Sequence, residues 1–313
     1  MIMRRVSFLM MSFLLAFVFC HRPLGGESDK AAFLKRTDHL LIWAHSDIQP
    51  RKLSQRADYE GALRDVRANL PPVYMAIVAG DIIQYEHTPE VYEWFLLKRA
   101  SVKIPYWFEI AGNHDAKDLP RYRKYIRKPM HYSVTLGNIL FLFLSDEDRT
   151  PPTEISDGAF RWWREMVKKN QHRIIFTVSH ACLKRSGLFS AVFSKQVIVN
   201  SERFEEVLRK YRVDVWLSGH SHFPGFLSDK TVRSVELGGT LFADISAIRR
   251  DVIVPSESRI LYLLPGSRYL LMKTRNHTRG TFERSGETFY PLRYPFQWDG
   301  SPPVMGEAFR GEE

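Results

Sequence analysis

Short apolar runs recur along this chain, and each of them stops at a polar residue. Apolar runs of this length between turn residues are typical of buried strands, which we predict at 39–46, 73–79, 104–110, 173–179 and 213–218. Segments with apolar residues at helical spacing alternate with these runs, and we predict helices at 59–70, 88–100, 119–127, 157–170 and 201–211. The alternation predicts an α/β fold whose sheets are covered by helices on the outside.

The remaining segments are richer in strands. Apolar runs at 131–136 and 139–144 are separated by a Gly-Asn pair, a two-residue turn that predicts a β-hairpin. Further strands are predicted at 232–237, 240–246, 259–264 and 268–273. The polar stretch 25–35 is predicted to be a linker, and the Gly- and Pro-rich stretch 275–313 is predicted to be irregular.

The N-terminus carries a pattern typical of exported proteins. Arg4 and Arg5 precede an apolar run at 6–20, as in a secretory signal, and the run is short for a membrane span. It ends at Cys20, as a lipoprotein signal does, although Phe19 is bulky where such signals have a small residue. A cleaved signal peptide, an uncleaved anchor and a lipoprotein signal all remain open, beside a buried N-terminal helix. The first three predict an exported, extracytoplasmic protein.

Composition limits which binding partners and which kinds of metal site we expect. The net charge of +10 favours anionic partners, but the basic residues are scattered, so nucleic acid is not the expected ligand. A solvated basic surface explains this charge equally well. The two cysteines, Cys20 and Cys182, exclude a disulfide framework and a thiolate zinc cluster. A metal site in this chain must therefore use His, Asp, Asn or Gln.

Polar side chains follow five of the predicted strands. They are Asp47 with Gln49, Asp81, Asn113 with His114, His180, and His220 with His222. Each one alone is explained by a turn or by a core histidine. Together they would line one edge of the sheets, where α/β proteins bind ligands. Oxygen ligands mixed with imidazoles suit Mn, Fe, Zn or Mg, and the number of ligands favours two ions that share a carboxylate.

The same motifs resemble those of the calcineurin-like metallophosphoesterase superfamily. The resemblance covers roughly residues 40–246 and rests on Asp47-x-Gln49, Gly80-Asp81, Gly112-Asn113-His114-Asp115, His180 and Gly219-His220-Ser221-His222. It implies a sandwich of two facing β-sheets flanked by helices, with a dinuclear metal site at the strand ends. With the catalytic domain at 27–275, residues 1–26 are a signal peptide or anchor with the start of a linker. Residues 276–313 then form an irregular C-terminal extension.

The resemblance divides the metal ligands into two sets that share Asp81. One ion would be bound by Asp47, Gln49, Asp81 and His222, and the other by Asp81, Asn113, His180 and His220. The superfamily usually has His where this chain has Gln49. Because an amide oxygen binds borderline metals less well than imidazole does, we expect the first ion to be looser or harder than usual.

The implied activity is hydrolysis of a phosphomonoester or phosphodiester by a water molecule that two divalent ions activate. His114 lies beside a ligand without being one, so we expect it to protonate the leaving oxygen as general acid. Asp115 would either orient His114 or close the turn. Gln84 replaces the metal-binding tyrosine of purple acid phosphatases and is expected just behind the metal ligands. Strand alternation predicts that His45, two residues before Asp47, also lies just behind the metal ligands.

Two further alternatives concern the substrate and the overall function. Lys184 and Arg185, which follow His180, would either help to bind an anionic substrate or lie in a solvated loop. The competing function is a non-catalytic, membrane-tethered binding scaffold that keeps the phosphoesterase fold; Gln49 is the feature in its favour. No segment of the sequence indicates a protein partner.

Overall fold

Two mixed β-sheets pack face to face in the computed structural model. The structure describes residues 26–50, 55–84, 90–149, 151, 153–223, 231–250, 254–309 and 311. The predicted N-terminal signal or anchor lies outside these residues, as does the predicted helix start at 88–89. None of the described helices combines the length and apolar character needed to cross a bilayer.

The first sheet has six strands, three of them parallel. The parallel strands are β1 (Leu40–His45), β2 (Val73–Ala79) and β3 (Tyr106–Ile110). The sheet continues antiparallel beyond β1 with β10 (Glu257–Leu263), β11 (Tyr269–Asn276) and β12 (Thr281–Pro291). The resulting order is β12-β11-β10-β1-β2-β3.

The second sheet has seven strands. They are β4 (His131–Leu136), β5 (Ile139–Leu144), β6 (Ile174–Ser179), β7 (Val215–Ser218), β8 (Thr231–Ser234), β9 (Thr240–Asp244) and β13 (Val304–Phe309). Their order is β13-β4-β5-β6-β7-β9-β8, and β5, β6, β7 and β9 run parallel. The carboxyl ends of β6 and β7 therefore lie side by side.

Helices cover the outer face of each sheet. Apolar residues of α2 (Arg56–Asn69), α3 (Glu90–Ala100) and α4 (Leu119–Ile126) pack on the first sheet. The second sheet is covered by α5 (Asp157–Lys169) and α6 (Glu202–Leu208). Ser156 caps α5, because its side chain accepts a hydrogen bond from the Ala159 amide. A third apolar core, which contains Ile42, Ile77 and Phe176, fills the space between the sheets.

The predicted fold class is confirmed: the molecule is an αββα sandwich. The five apolar runs are buried strands whose ends lie within two residues of the predicted ends. The Gly-Asn hairpin is also present, with β4 and β5 paired in register across it.

Two predictions for polar segments are wrong. Residues 25–35 were expected to be a linker, but Glu27–Lys35 forms the helix α1. This helix buries only Phe33, which packs against Leu271 and Phe289 of the first sheet. A single buried residue produces no periodic apolar face, and so the sequence pattern predicts a linker.

The expected irregular stretch at 275–313 contributes β12 and β13 instead. β12 pairs antiparallel with β11, and β13 pairs antiparallel with β4. Thus each strand extends one sheet at its edge. Edge strands keep one side in solvent, so their sequences are more polar than those of the central strands.

Candidate active site

The polar residues at the strand ends meet along one edge of the sandwich. The parallel pairing of β1 with β2 and β3, and of β6 with β7, brings their carboxyl ends to this edge. Backbone hydrogen bonds tie the loops to one another: the Asp47 amide donates to Gly80 O at 3.1 Å, and Gly219 N donates to His180 O at 2.9 Å. The two sheets therefore deliver their polar residues to one place.

The local backbone at this edge is strained. Six described non-glycine residues have positive φ, and four of them are predicted metal ligands: Asp47 (54°), Asp81 (54°), His220 (67°) and His222 (53°). Left-handed backbone at a residue other than glycine costs about 1–3 kcal/mol, and such residues cluster at functional sites. This clustering points to selection for the positions of these side chains.

Glycines beside the predicted ligands make room for them. A Cβ on Gly112 would lie 2.5 Å from the Asp81 amide nitrogen, and a Cβ on Gly219 would lie 2.9 Å from Asp47 Oδ2. Real Cβ atoms do not approach other heavy atoms this closely. Gly112 and Gly219 are therefore required by their close packing against the segments that carry Asp81 and Asp47.

The side chains form two groups that share Asp81. In one group, atoms of Asp81, His180 and His220 lie within 4.8 Å of one another; the other group combines Asp47, Asp81 and His222. His180 Nε2 is 3.3 Å from Asp81 Oδ2 and 3.1 Å from Asn113 Oδ1. The structure thus brings the side chains of the second predicted ligand set together.

Gln49 and His222 complete the first predicted set. His222 Nε2 lies 2.8 Å from Asp47 Oδ1, and the Gln49 carboxamide lies 3.2 Å from the same imidazole nitrogen. When the Gln49 carboxamide is rotated so that its oxygen and nitrogen exchange places, the nitrogen donates a hydrogen bond to Asp81 Oδ2 at 3.0 Å. The other six predicted ligands thus lie around the shared carboxylate of Asp81.

Two of the imidazoles are held by backbone carbonyls. His180 Nδ1 lies 2.8 Å from Ala79 O, and His220 Nε2 lies 2.9 Å from Lys195 O. A ring nitrogen next to a carbonyl oxygen carries a proton, so His180 Nε2 and His220 Nδ1 are the atoms left to bind a cation once each ring is neutral. These two atoms are 3.1 Å apart. Metal-binding histidines are typically oriented in this way.

Charge in the site is unevenly distributed. Burial would raise the pKa of Asp81, but the neighbouring His180 imidazole holds it below its usual value. Burial would lower the pKa of His180, yet Asp81 and Asp47 raise it well above its usual value. His220 is neutral, since burial and the nearby His180 lower its pKa to about 4. A cation binding here would replace the His180 proton, because metal ligands must be deprotonated.

His114 lies next to both groups without belonging to either. Its Nε2 is 3.9 Å from Asp81 Oδ2, and its side chain is 19% exposed. Its Nδ1 is 3.0 Å from Gln84 Nε2. When this amide donates to Nδ1, the proton of a neutral ring resides on Nε2, which is the nitrogen that faces the site. Burial lowers the pKa of His114 and so favours the neutral ring.

The alternatives for Asp115 separate clearly. Its carboxylate accepts hydrogen bonds from the amides of Gly112 (3.0 Å), Ile82 (3.1 Å) and Ile83 (3.2 Å), and from the Tyr92 hydroxyl (3.2 Å). Asp115 therefore ties the loop after β3 to the loop after β2. These contacts favour the turn-closing role.

His45 does not face the site. Its ring stacks on Trp43 with the centroids 3.8 Å apart and packs near Tyr59 of α2, on the outer side of the sheet. The prediction that strand alternation aims His45 towards the metal ligands is wrong, because the chain turns at Asp47, whose φ is positive.

Lys184 and Arg185 are paired with acidic residues. Lys184 Nζ lies 3.7 Å from Glu202 Oε1, and Arg185 Nε lies 3.6 Å from Glu205 Oε2. More than half of each basic side chain is exposed. Of the two predicted alternatives, these contacts favour the solvated loop.

Two residues of the site were not predicted from the sequence. Asp146 is buried behind His180, and burial raises its pKa to about 8. It follows β5, so the strand-end rule would have found it. Arg249 is also buried, with Nη2 3.0 Å from His222 Nδ1 and Nη1 3.3 Å from Gln49 O. No local sequence signal reveals this contact, which puts a positive charge beside the first ligand set.

Comparison with known proteins decides the family. A family model for calcineurin-like phosphoesterases matches residues 17–224. The chain belongs to the calcineurin-like phosphoesterase family. Members of this family typically bind a dinuclear metal site. No curated protein sequence matches the chain significantly.

Solved structures share this fold. Purple acid phosphatase PPD1 from yellow lupin (Lupinus luteus) superimposes with a TM-score of 0.61 at 12% identity, over 82% of this chain and 54% of the lupin chain. The chain thus spans about half the length of the lupin protein. GAP50, described as the anchor in the inner membrane complex of Plasmodium, gives a TM-score of 0.60 at 10% identity, over 83% of this chain and 91% of GAP50. At such identities the similarity establishes the fold alone.

Proposed function

We propose that this chain hydrolyses a phosphomonoester or phosphodiester with two divalent metal ions bound at the strand ends. Asp81 would be shared by two ligand sets: Asp47, Gln49 and His222 on one side, and Asn113, His180 and His220 on the other. The observation that carries the proposal is the orientation of His180 and His220: backbone carbonyls hold one nitrogen of each ring, and the other nitrogen faces this carboxylate. Imidazole, carboxylate and amide donors suit Mn, Fe, Zn or Mg.

The ions would supply the nucleophile by activating water and would neutralise the phosphoryl oxygens. The remaining work belongs to the protein. His114, in its imidazolium form, would give the Nε2 proton to the leaving oxygen and return to the neutral ring, as a general acid next to the reacting phosphorus. Gln84 would hold the ring so that Nε2 faces the leaving oxygen, through its contact with Nδ1. Asp115 would hold the loop that carries His114 at a fixed distance from Asp81.

The two ligand sets would not bind their ions equally. Arg249 places a guanidinium beside His222, and Gln49 offers an amide in place of the imidazole usual in the family. Both features weaken cation binding, the first by charge repulsion and the second by weaker donation. We propose that the ion at Asp47, Gln49 and His222 is the more weakly bound of the two.

The scaffold alternative is the weaker candidate. A binding scaffold does not need strained backbone at four ligand positions or an imidazole aimed at the site. The N-terminal apolar run supports the separate proposal that the enzyme is exported and works outside the cytoplasm, with or without a membrane tether. Fractionation of cells that express the full chain tests this localisation; recovery in the cytoplasm alone would contradict it.

The catalytic proposal is tested with three variants. His114→Ala should bind metal like the wild type in calorimetric titration but lower kcat by about 10²–10⁴-fold, because general acid catalysis is lost. Asp81→Asn should lower both metal content and kcat, since it removes the shared carboxylate. His172→Ala, at an exposed site in the turn after α5, is the matched control and should change neither. Loss of metal from His114→Ala would assign His114 as a ligand and overturn its role as acid.

A further inference from the structure

A loop that carries exposed aromatic residues contacts the proposed metal site directly. After His180, the chain forms two short 3₁₀ helices, Phe189–Val192 and Ser194–Gln196. The Lys195 carbonyl that follows Phe193 is the acceptor for His220 Nε2 at 2.9 Å. Phe223, which packs against this loop, directly follows the predicted ligand His222. The loop is therefore attached to the ligand shell.

Three phenylalanines from these two segments pack together. The ring centroids of Phe189, Phe193 and Phe223 are 5.2–5.5 Å apart, and two of the three pairs are edge to face. Phe189 is 41% exposed and Phe193 is 43% exposed. We call these three residues the aromatic cluster. Its open ring faces are an apolar surface in solvent next to a highly polar site.

The exposed apolar surface is concentrated in this loop. Nine large apolar side chains are exposed in the described part of the chain, and four of them lie between residues 189 and 199: Phe189, Val192, Phe193 and Val199. Single exposed apolar residues are ordinary, but adjoining ones commonly mark a binding surface. Leu188, by contrast, is buried and anchors the loop. Packing of the fold thus accounts for Leu188 but not for the aromatic cluster.

We propose that the aromatic cluster is a subsite for the organic group of the substrate, which would be a planar aromatic group esterified to the phosphate. This inference rests on the proposed function, because the phosphate would be bound by the metal ions next to His220 and His222. Stacking on an exposed ring favours flat, apolar groups and tolerates different ones. The cluster would therefore select aryl or nucleoside esters over small alkyl esters.

The test compares kcat/KM for 1-naphthyl phosphate and glycerol 2-phosphate, together with the methyl diesters of the same alcohols. Phe193→Ala should lower kcat/KM about tenfold for the naphthyl esters and less than twofold for the glycerol esters. Each ratio compares variant and wild type on one substrate, so differences in leaving-group reactivity cancel. Leu97→Ala, at an exposed apolar site on α3, is the control and should leave all the ratios near one. Equal losses on both alcohols would overturn the subsite.

A binding measurement separates this inference from the catalytic proposal. If the wild type hydrolyses none of the esters, the proposed function fails, and calorimetry with naphthylmethylphosphonate and methylphosphonate still tests the subsite. Phe193→Ala should weaken binding of the naphthyl compound about tenfold and leave the methyl compound unchanged. Co-sedimentation with anionic vesicles tests whether the aromatic cluster contacts a lipid membrane instead of the substrate. Vesicle binding that is lost in Phe193→Ala, without any change in naphthyl binding, would make the loop a membrane contact and overturn the inference.

Discussion

The contact between Gln84 and His114 gives the sharpest test of how the site would protonate a leaving group. Gln84→Met keeps the length of the side chain but removes the amide that lies 3.0 Å from His114 Nδ1. One hydrogen bond of this kind contributes about 0.5–1.5 kcal/mol, which corresponds to about a 2- to 13-fold change in rate. The rate loss caused by Gln84→Met cannot exceed the loss expected when the acid itself is removed in His114→Ala, about 10²–10⁴-fold.

The assay is the dependence of kcat on the leaving group. Substrates with poor leaving groups need the proton, so Gln84→Met should slow an alkyl ester about 2- to 13-fold and leave a dinitrophenyl ester nearly unchanged. In the double variant with His114→Ala, the Gln84 substitution should add nothing, because residues that act through one another are not additive. Metal content should stay at the wild-type level. Equal slowing of all esters, or full additivity with His114→Ala, would refute the positioning role.

Three further predictions concern the metal site and the stability of the fold. Gln49→His should tighten the weaker of the two metal-binding events in a calorimetric titration; an unchanged titration would argue against Gln49 as a ligand. Asp65→Ala breaks a buried ion pair with Arg275, whose Nη2 lies 2.5 Å from Asp65 Oδ1, and it should lower the free energy of unfolding in urea by about 3–5 kcal/mol. A loss below 1 kcal/mol would contradict that estimate. Glu147 has its pKa lowered to about 2: burial opposes this shift, but the hydrogen bond from His131 (2.8 Å) outweighs it. Its ionised form therefore stabilises the fold above the usual pKa of 4.5, and this contribution is lost as the pH falls towards 2. Glu147→Gln should cost about 2 kcal/mol in urea unfolding at pH 6 and much less at pH 3, since each hydrogen bond to a charged group contributes about 1.5–3 kcal/mol; an equal cost at both pH values would be inconsistent with the lowered pKa.

The strand-end residues were predictable from the sequence because of how parallel strands are built. Central strands are buried on both faces and appear as continuous apolar runs, so the polar residue that ends each run is easy to locate. Asp47, Asp81 and His180 are found in this way, and the structure brings them together. What the sequence does not show directly, and the sheet topology does, is that these strands end at the same edge.

The missed features depend on contacts between distant segments. Arg249 reaches His222 and Gln49 through the packing of the loop after β9 against the loop after β1. The helix α1 and the strands β12 and β13 lie at edges, where few residues are buried and no periodic pattern develops. Gln84 was expected near the site, but only its distance to His114 Nδ1 identifies what it does there.

Hydrolysis measured with and without metal tests the central claim most directly. The full chain is first treated with a chelator and then assayed on aryl phosphomonoesters and phosphodiesters while Mn²⁺, Zn²⁺ or Mg²⁺ is added back, with bound metal counted in the same samples. We predict no hydrolysis after chelation and recovery of activity as up to two ions bind per chain, with unequal affinities. Hydrolysis that persists in fully chelated protein, or a wild-type chain that binds no divalent ion, would contradict the proposed dinuclear site.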